Sequence, residues 1–379
     1  MSDFDDIRAY QDHEVNAILS SLLYDTDFLN FVSMELHPKI SRFIPYFVHR
    51  KIRNSLKAKF EDIHNIDAWQ SIIAPYVELL IKQTTENFIV RGIENLDKDK
   101  HYLFISNHRD IAMDPMLINY ALLTSGMNTS KVAIGDNLIE RPFVGKLMRL
   151  NKSFIVKRSI TARKEKLEAA QKLSNYVHES HKQSNNIWIA QKEGRAKDNK
   201  DRTDTAILKM LHLAGRKLGW EFKDSMNFLN IVPVSISYEW DPCDIDKAKE
   251  LTFDISDQVY KKSKDEDFQT IIKGMKGNKG KVSIHFSKPV SLDSNVAEDW
   301  TKKIDQCIFN GYELFDSNLI AKGLLDDSVT SVVVDSKRWN KRFSKVDSKI
   351  YAQIIKSYAQ PVIAKNNAVK KNRYVKSIC

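Results

Sequence analysis

Between Asn87 and Pro289, short apolar and β-branched runs alternate with helix-length segments. This alternation limits the possible folds more than any other feature of the chain. The runs are Phe88–Arg91, Tyr102–Ser106, Val132–Ile134, Phe154–Val156, Ile187–Ala190, Ile231–Tyr238 and Val282–Phe286. Helical patterning lies between them, near residues 115–124, 141–150, 161–181, 205–218 and 255–277. Strands that alternate with helices need a helix to carry the chain back over the sheet. The expected fold is therefore α/β, a mixed and largely covered β-sheet flanked by helices. Ile231–Ile236 is almost wholly apolar and reads as a core strand, with Pro233 marking an edge or a bulge.

The flanking regions have a different period. In residues 1–84, apolar residues recur at three-to-four spacing through Val15, Ile18, Leu19, Leu22 and Leu23, then Phe28, Phe31 and Val32. Asp67 is placed to cap a helix running to about Lys82. Residues 295–379 return to helix, with Trp339, Phe343, Val346, Ile350 and Ile354 forming an apolar stripe that ends before Pro361. The expected organisation is an N-terminal helical region (1–84), an α/β domain (85–294) and a helical C-terminal extension with a basic tail (295–379).

Twelve Gly and nine Pro in 379 residues exclude collagen-like and linker-rich classes. Three cysteines, Cys243, Cys307 and Cys379, fit neither a disulfide framework nor a paired metal site and read as a reducing compartment. The acidic start MSDFDDIRAY lacks the basic and apolar parts of a secretory signal. No window of 18 uncharged apolar residues exists, so a cytoplasmic protein is expected, at most peripheral on the cytoplasmic face of a membrane. The net charge of +10 is localised: Lys337–Cys379 holds twelve basic residues against Asp347, or +11, which leaves −1 for the rest. Such a tail suits an anionic surface, and its stripe suits core packing equally well.

Chemistry concentrates in Tyr102–Pro115. An apolar strand runs into Asn107-His108, and Asp114-Pro115 has the form of a helix start, with Asp at the cap and Pro at the first turn. A histidine at a strand end projects into the crevice where open α/β sheets place their sites. An aspartate within reach would fix its tautomer and stabilise the imidazolium. No Ser or Cys is spaced to complete a triad, so the substrate's own hydroxyl is the natural nucleophile.

Here the chain resembles the glycerol-phosphate and lysophospholipid acyltransferases, the PlsC-like superfamily, whose four sequence blocks occur in order between about residues 105 and 240. The first block is an Asn-His, four residues, then Asp. This chain has Asn107-His108 and Asp114-Pro115 with five residues between, so either a bulge restores the His–Asp contact or Asp110 contributes. Arg109 after the histidine is more like the glycerol-3-phosphate branch. The second block matches Asn151–Arg158 loosely and puts Lys157 and Arg158 at a strand end, with a charged helix continuing from Ser159 to Glu168. The third is Ile187–Arg195, where Glu193-Gly194 makes the turn and Arg195 follows directly, one residue earlier than in the family; Lys197 is the alternative cation. The charged loop Lys197–Asp204 reads as solvated surface. The fourth block is the Pro233 strand.

The resemblance implies transfer of a fatty acyl group from acyl-CoA or acyl carrier protein to a glycerol-phosphate or lysophospholipid hydroxyl. In that reading His108 is the general base and Asp114 holds the imidazole. Asn107, Arg109, Lys157, Arg158, Glu193, Gly194 and Arg195 would bind substrate, the cations meeting the acceptor phosphate and backbone N–H groups near Gly194 stabilising the oxyanion. No cofactor or metal is implied, because a thioester is already activated. Anionic membrane is the expected partner of the basic C-terminal segment. Two other classes stay in view. One is a catalytically silent lipid- or thioester-binding protein of the same fold. The other is a nucleic-acid-binding protein using the tail, for which no zinc pattern, recognition helix or RNA-binding aromatic motif exists.

Overall fold

The computed structural model describes residues 3–255, 260, 262–263, 265–326 and 336–376, with the side chains of 254–255 and 370–376 outside that description. Cys379 and the final residues of the basic tail therefore lie outside the described residues. The chain divides into two compact units, Met1–Tyr76 with Lys131–Ala169 and Val77–Ser130 with Ala170–Cys379. These do not follow the three sequence blocks.

Seven strands occur in chain order: β1 (Thr85–Arg91), β2 (Leu103–Ser106), β3 (Lys131–Gly135), β4 (Ser153–Val156), β5 (Ile187–Ala190), β6 (Ile231–Tyr238) and β7 (Gly280–Phe286). In the first unit β3 and β4 pair in parallel. In the second the order is β1-β7-β6-β2-β5. There β2 runs parallel to both β5 and β6, β1 runs parallel to β7, and β6 and β7 are antiparallel, so the sheet is mixed. Every residue of β2, β5 and β6 is buried, which is why these strands are continuous apolar runs and not alternating ones.

Pro233 lies inside the central strand β6, neither on an edge nor on a bulge. Its carbonyl accepts from Ser287 N–H at 2.9 Å, and antiparallel pairing with β7 then runs from Val234–Phe286 onward. A residue's N–H and C=O point to the same neighbour, so the missing proline donor falls where the β6–β7 ladder ends.

In the first unit, helices Asp12–Leu22, Thr26–Leu36, Pro38–Phe43 and Pro45–Phe60 pack partly around Leu29, Val48 and Ile52. The helix Ile66–Thr84 is capped by Asn65, whose Oδ1 accepts from Ala68 N–H at 2.7 Å, and not by Asp67, which sits in its first turn. The charged helix expected from Ser159 begins only at Arg163, because Asp136 accepts from the N–H groups of both Arg158 and Ser159 and holds that stretch as a loop.

The C-terminal stripe is core. Trp339, Phe343 and Ile354 are buried with Trp240, Ala321 and Tyr358, and Val346 and Ile350 pack against them. It is therefore unavailable to lipid. The last helix, Ser348–Lys376, continues through Pro361 instead of ending before it, held by buried Ala359 and Val362 on either side of the missing hydrogen bond. In the stretch near 255–277, the described helices are Asp244–Ile255 and Glu266–Lys276; residues 256–259 lie outside the described residues. Among the described residues no helix is long and apolar enough to cross a membrane.

Candidate active site

The site grows from the end of β2. Ser106 is the last strand residue, and the side-chain amide of Asn107 continues the pairing with β6: Nδ2 donates to Ile236 O at 2.9 Å and Oδ1 accepts from Ile236 N–H at 2.8 Å. Asn107 is fully buried, so these bonds fix where the chain leaves the sheet and leave no amide group facing a substrate.

The next residue is His108, whose Nδ1 lies 2.8 Å from Oδ2 of Asp114. Asp114 is not the helix cap that the sequence suggests. The helix Met113–Thr124 has Ala112 at the cap position, two residues earlier, and its first amides are held by Asp110, whose Oδ1 accepts from Ala112 N–H at 3.0 Å and Met113 N–H at 2.9 Å. The extra residue between His108 and Asp114 is thereby absorbed in the loop. Asp110 supplies the cap, and Asp114, in the first turn, reaches the histidine.

Asp114 is shut off from solvent and surrounded by donors. Oδ2 also accepts from the backbone N–H of Arg109 at 2.6 Å and of Asp110 at 2.9 Å, and Oδ1 accepts from the Tyr238 hydroxyl at 2.8 Å. With the helix N-terminus behind it, the carboxylate is an acceptor on every side. Facing such an acceptor, Nδ1 of His108 carries the proton and Nε2 presents its lone pair. Burial first, then the charge of Asp114, pushes the Tyr238 hydroxyl well above its ordinary pKa, so it remains a donor. Trp188 stands edge-on to the imidazole with ring centroids 5.6 Å apart, and its own indole N–H donates to Ser106 Oγ at 2.9 Å.

The Glu193-Gly194-Arg195 turn is attached to the same loop, because Ala196 N–H donates to the carbonyl of His108 at 3.0 Å. Gly194 has φ +73°, and nothing lies within 4 Å of where a Cβ would stand, so its need is for left-handed backbone and not for space. Arg195 lies near enough to the partly buried Asp241 to act on it. Burial would raise that carboxylate, but Lys247, with Arg195 adding to it, holds it low. Lys197 pairs with Glu250.

Arg109 turns inward. Its guanidinium is buried in a two-pronged pair with Asp201, Nη1 to Oδ1 at 2.8 Å, and Asp201 also accepts from the Tyr312 hydroxyl. The loop Lys197–Asp204 is thus not simply solvated surface, since Asp201 at its centre is buried. Lys247 Nζ donates to the Arg109 carbonyl at 2.6 Å and pairs with Asp241, closing the loop from below. Lys157 and Arg158 belong to the other unit. There Lys157 pairs with Asp6, and the Arg158 side chain lies against Gly135.

Tyr238, Asp201, Tyr312, Trp188 and Lys247 escaped the sequence reading. Tyr238 follows Val234, the register partner of Ser106, by four residues along β6, a relation visible only once β2 and β6 are known to be neighbours.

Residues 87–237 match the family model described as Acyltransferase. That span covers the strand-to-histidine loop, the Glu193-Gly194 turn and β6 up to the residue before Tyr238. Over these residues the chain is similar to that acyltransferase family. Among solved structures, the chain is similar to the 1-acyl-sn-glycerophosphate (LPA) acyltransferase PlsC from Thermotoga maritima, at 16% identity and a TM-score of 0.38, over 77% of this chain and 92% of that one. A search of curated proteins returns no match.

Proposed function

We propose that this domain transfers a fatty acyl group from an acyl thioester to the hydroxyl of a glycerol-phosphate or lysophospholipid acceptor, with His108 as general base. The observation that carries the reading is the 2.8 Å contact of His108 Nδ1 with a buried, fully donor-satisfied Asp114, which leaves Nε2 free to take a proton. The acceptor hydroxyl gives its proton to Nε2 as its oxygen attacks the thioester carbonyl. The tetrahedral intermediate then collapses with cleavage of the C–S bond, and the imidazolium returns the proton to the departing thiolate. A thioester needs no cofactor for this, and acyl-CoA and acyl carrier protein are equivalent donors chemically.

Arg195, on the turn bonded to the His108 carbonyl, is the cation assigned to the acceptor phosphate. The family resemblance adds Lys157 and Arg158 to that role, and alanine at each tests it through the acceptor KM. Asn107 and Arg109, both buried with their polar groups engaged, are assigned to holding the loop and not to binding substrate.

The test is thiol release from palmitoyl-CoA by the purified full chain, offered glycerol-3-phosphate, 1-acylglycerol-3-phosphate or no acceptor, and then repeated with an acyl carrier protein thioester. Acceptor-dependent release supports the reading and selects the branch. Thioester binding with no release from either donor would identify a silent binding protein and overturn it.

A further inference from the structure

Pro361 lies inside the helix Ser348–Lys376 and has no N–H to give, so the helix leaves the carbonyl of Ser357, four residues earlier, without its usual donor. Another part of the chain takes that carbonyl: the side-chain amide of Asn199 donates to it at 3.0 Å. Asn199 belongs to the Lys197–Asp204 loop and has φ +58°, a left-handed conformation that asparagine tolerates and most side chains do not. The next carbonyl of the helix, that of Tyr358, accepts from Asn318 Nδ2 at 3.0 Å, which ties the same turn to the helix Asp316–Leu325.

From this proline turn, contacts lead to His108 and to the residue after it. Asn199 N–H closes on Ala196 O at 3.4 Å, and Ala196 N–H donates to the His108 carbonyl at 3.0 Å. Two residues past Asn199, Asp201 holds the guanidinium of Arg109, Nη1 to Oδ1 at 2.8 Å. A second route starts at the Tyr358 hydroxyl, which accepts from Asp241 N–H at 2.9 Å and donates to Asp244 Oδ2 at 2.8 Å. Asp241 pairs with Lys247, whose Nζ donates to the Arg109 carbonyl at 2.6 Å. The helix at the head of both routes lies wholly outside residues 87–237, the span that the family model matches.

We propose that the proline turn of the last helix braces the loop that carries His108, with Asn199 as a positioning residue acting on the base through Ala196 and, by way of Asp201, through Arg109. The inference rests on the reading of His108 as general base. The start of that loop is fixed by Asn107 on β6, and its end by the Asp110 cap. Between those points the carbonyls of His108 and Arg109 and the Arg109 guanidinium are held only from outside β2 and its following helix, among the described contacts. A proline in a helix interior weakens the helix itself, and here the carbonyl it frees has a defined partner on the way to the site. The alignment of the imidazole on Asp114 therefore depends on the C-terminal extension.

Two variants break the same bond from opposite ends. Pro361→Ala restores an N–H that can reclaim the Ser357 carbonyl, so the helix gains a bond as the loop loses one. Asn199→Gly keeps the left-handed backbone and removes the amide. Both are assayed by thiol release from palmitoyl-CoA with whichever of glycerol-3-phosphate and 1-acylglycerol-3-phosphate supports it. Each should lower kcat about tenfold and change the acceptor KM by less than about threefold. The urea midpoint of Pro361→Ala should stay at or above that of wild type, which a loss of activity through instability would not allow. The double variant should lose little more than either single one, because both changes remove one contact. Wild-type kcat in folded Asn199→Gly, or losses that multiply in the double variant, would overturn this inference alone when His108→Ala is inactive. Activity in folded His108→Ala would overturn the reading beneath it.

Discussion

His108 and Asp114 meet at 2.8 Å across a boundary of solvent access: the imidazole side chain is 15% exposed and the carboxylate 0%. One ring nitrogen therefore faces a fixed carboxylate in the interior while the ring keeps a partly exposed edge. In the proposed reaction that contact separates the tasks: Asp114 sets tautomer and orientation, and His108 meets the reacting proton.

Asp114→Asn preserves shape but replaces an acceptor with an amide that can present its NH2 to Nδ1, favouring the wrong tautomer. Turnover should fall by about 10²-fold or more, with the acceptor KM changed by less than about threefold. Steady-state kinetics check this, and an unaltered kcat would show that the carboxylate has no part in the reaction.

The helix cap at Asp110 can be tested from outside the loop. A Cβ placed on Gly274, in the helix Glu266–Lys276, would fall 2.0 Å from Asp110 Oδ2. Asp110 is buried with its own bonds to keep, so it cannot step aside freely. Gly274→Ala should destabilise the protein by about 1–3 kcal/mol in urea unfolding and reduce activity as well, because the displaced cap carries the first turn that holds Asp114.

Lys279 gives a pH signature in stability. It is fully buried, with Nζ donating to Thr84 Oγ1 at 3.2 Å and to the Met275 and Gly277 carbonyls at 3.1 and 2.9 Å, and burial lowers its pKa to about 8 from 10.5. Below the folded pKa the ammonium is charged in both states and its burial cost is fully felt. Between about 8 and 10.5 the folded protein has lost a proton that the unfolded chain keeps, so stability rises with pH. The rise is on the order of 3 kcal/mol. Lys131, lowered to about 8 by burial and Lys152, contributes in the same direction, so the comparison that isolates Lys279 is wild type against Lys279→Met. The variant should show a smaller gain in urea midpoint between about pH 7 and pH 10, and an equal gain would refute the assignment.

Strand positions were legible in the sequence because β2, β5 and β6 are buried on both faces, and their apolar runs leave few alternatives. The expected strand limits Ile187–Ala190 and Ile231–Tyr238 coincide with β5 and β6. Helix starts were less legible. Asp67 and Asp114 both have a cap's local signature, but Asn65 and Asp110 each put an oxygen on the first free amides, and that depends on where the preceding loop goes. The His108–Asp114 pairing was readable despite its extra residue. The outer ring of the site was not, because Tyr238 is brought in by the β2–β6 adjacency and Asp201 by a charged loop folding inward. The C-terminal stripe was open to two readings for a related reason: apolar residues flanked by lysines look the same in sequence whether they face lipid or Trp240.

The central claim is that His108 removes the acceptor proton. It is tested most directly by comparing His108→Ala with wild type in acceptor-dependent thiol release from palmitoyl-CoA, with matched circular dichroism and urea midpoints. Release should fall by about 10³-fold or more in the variant, with the fold unchanged. Release near the wild-type rate from folded His108→Ala would contradict it.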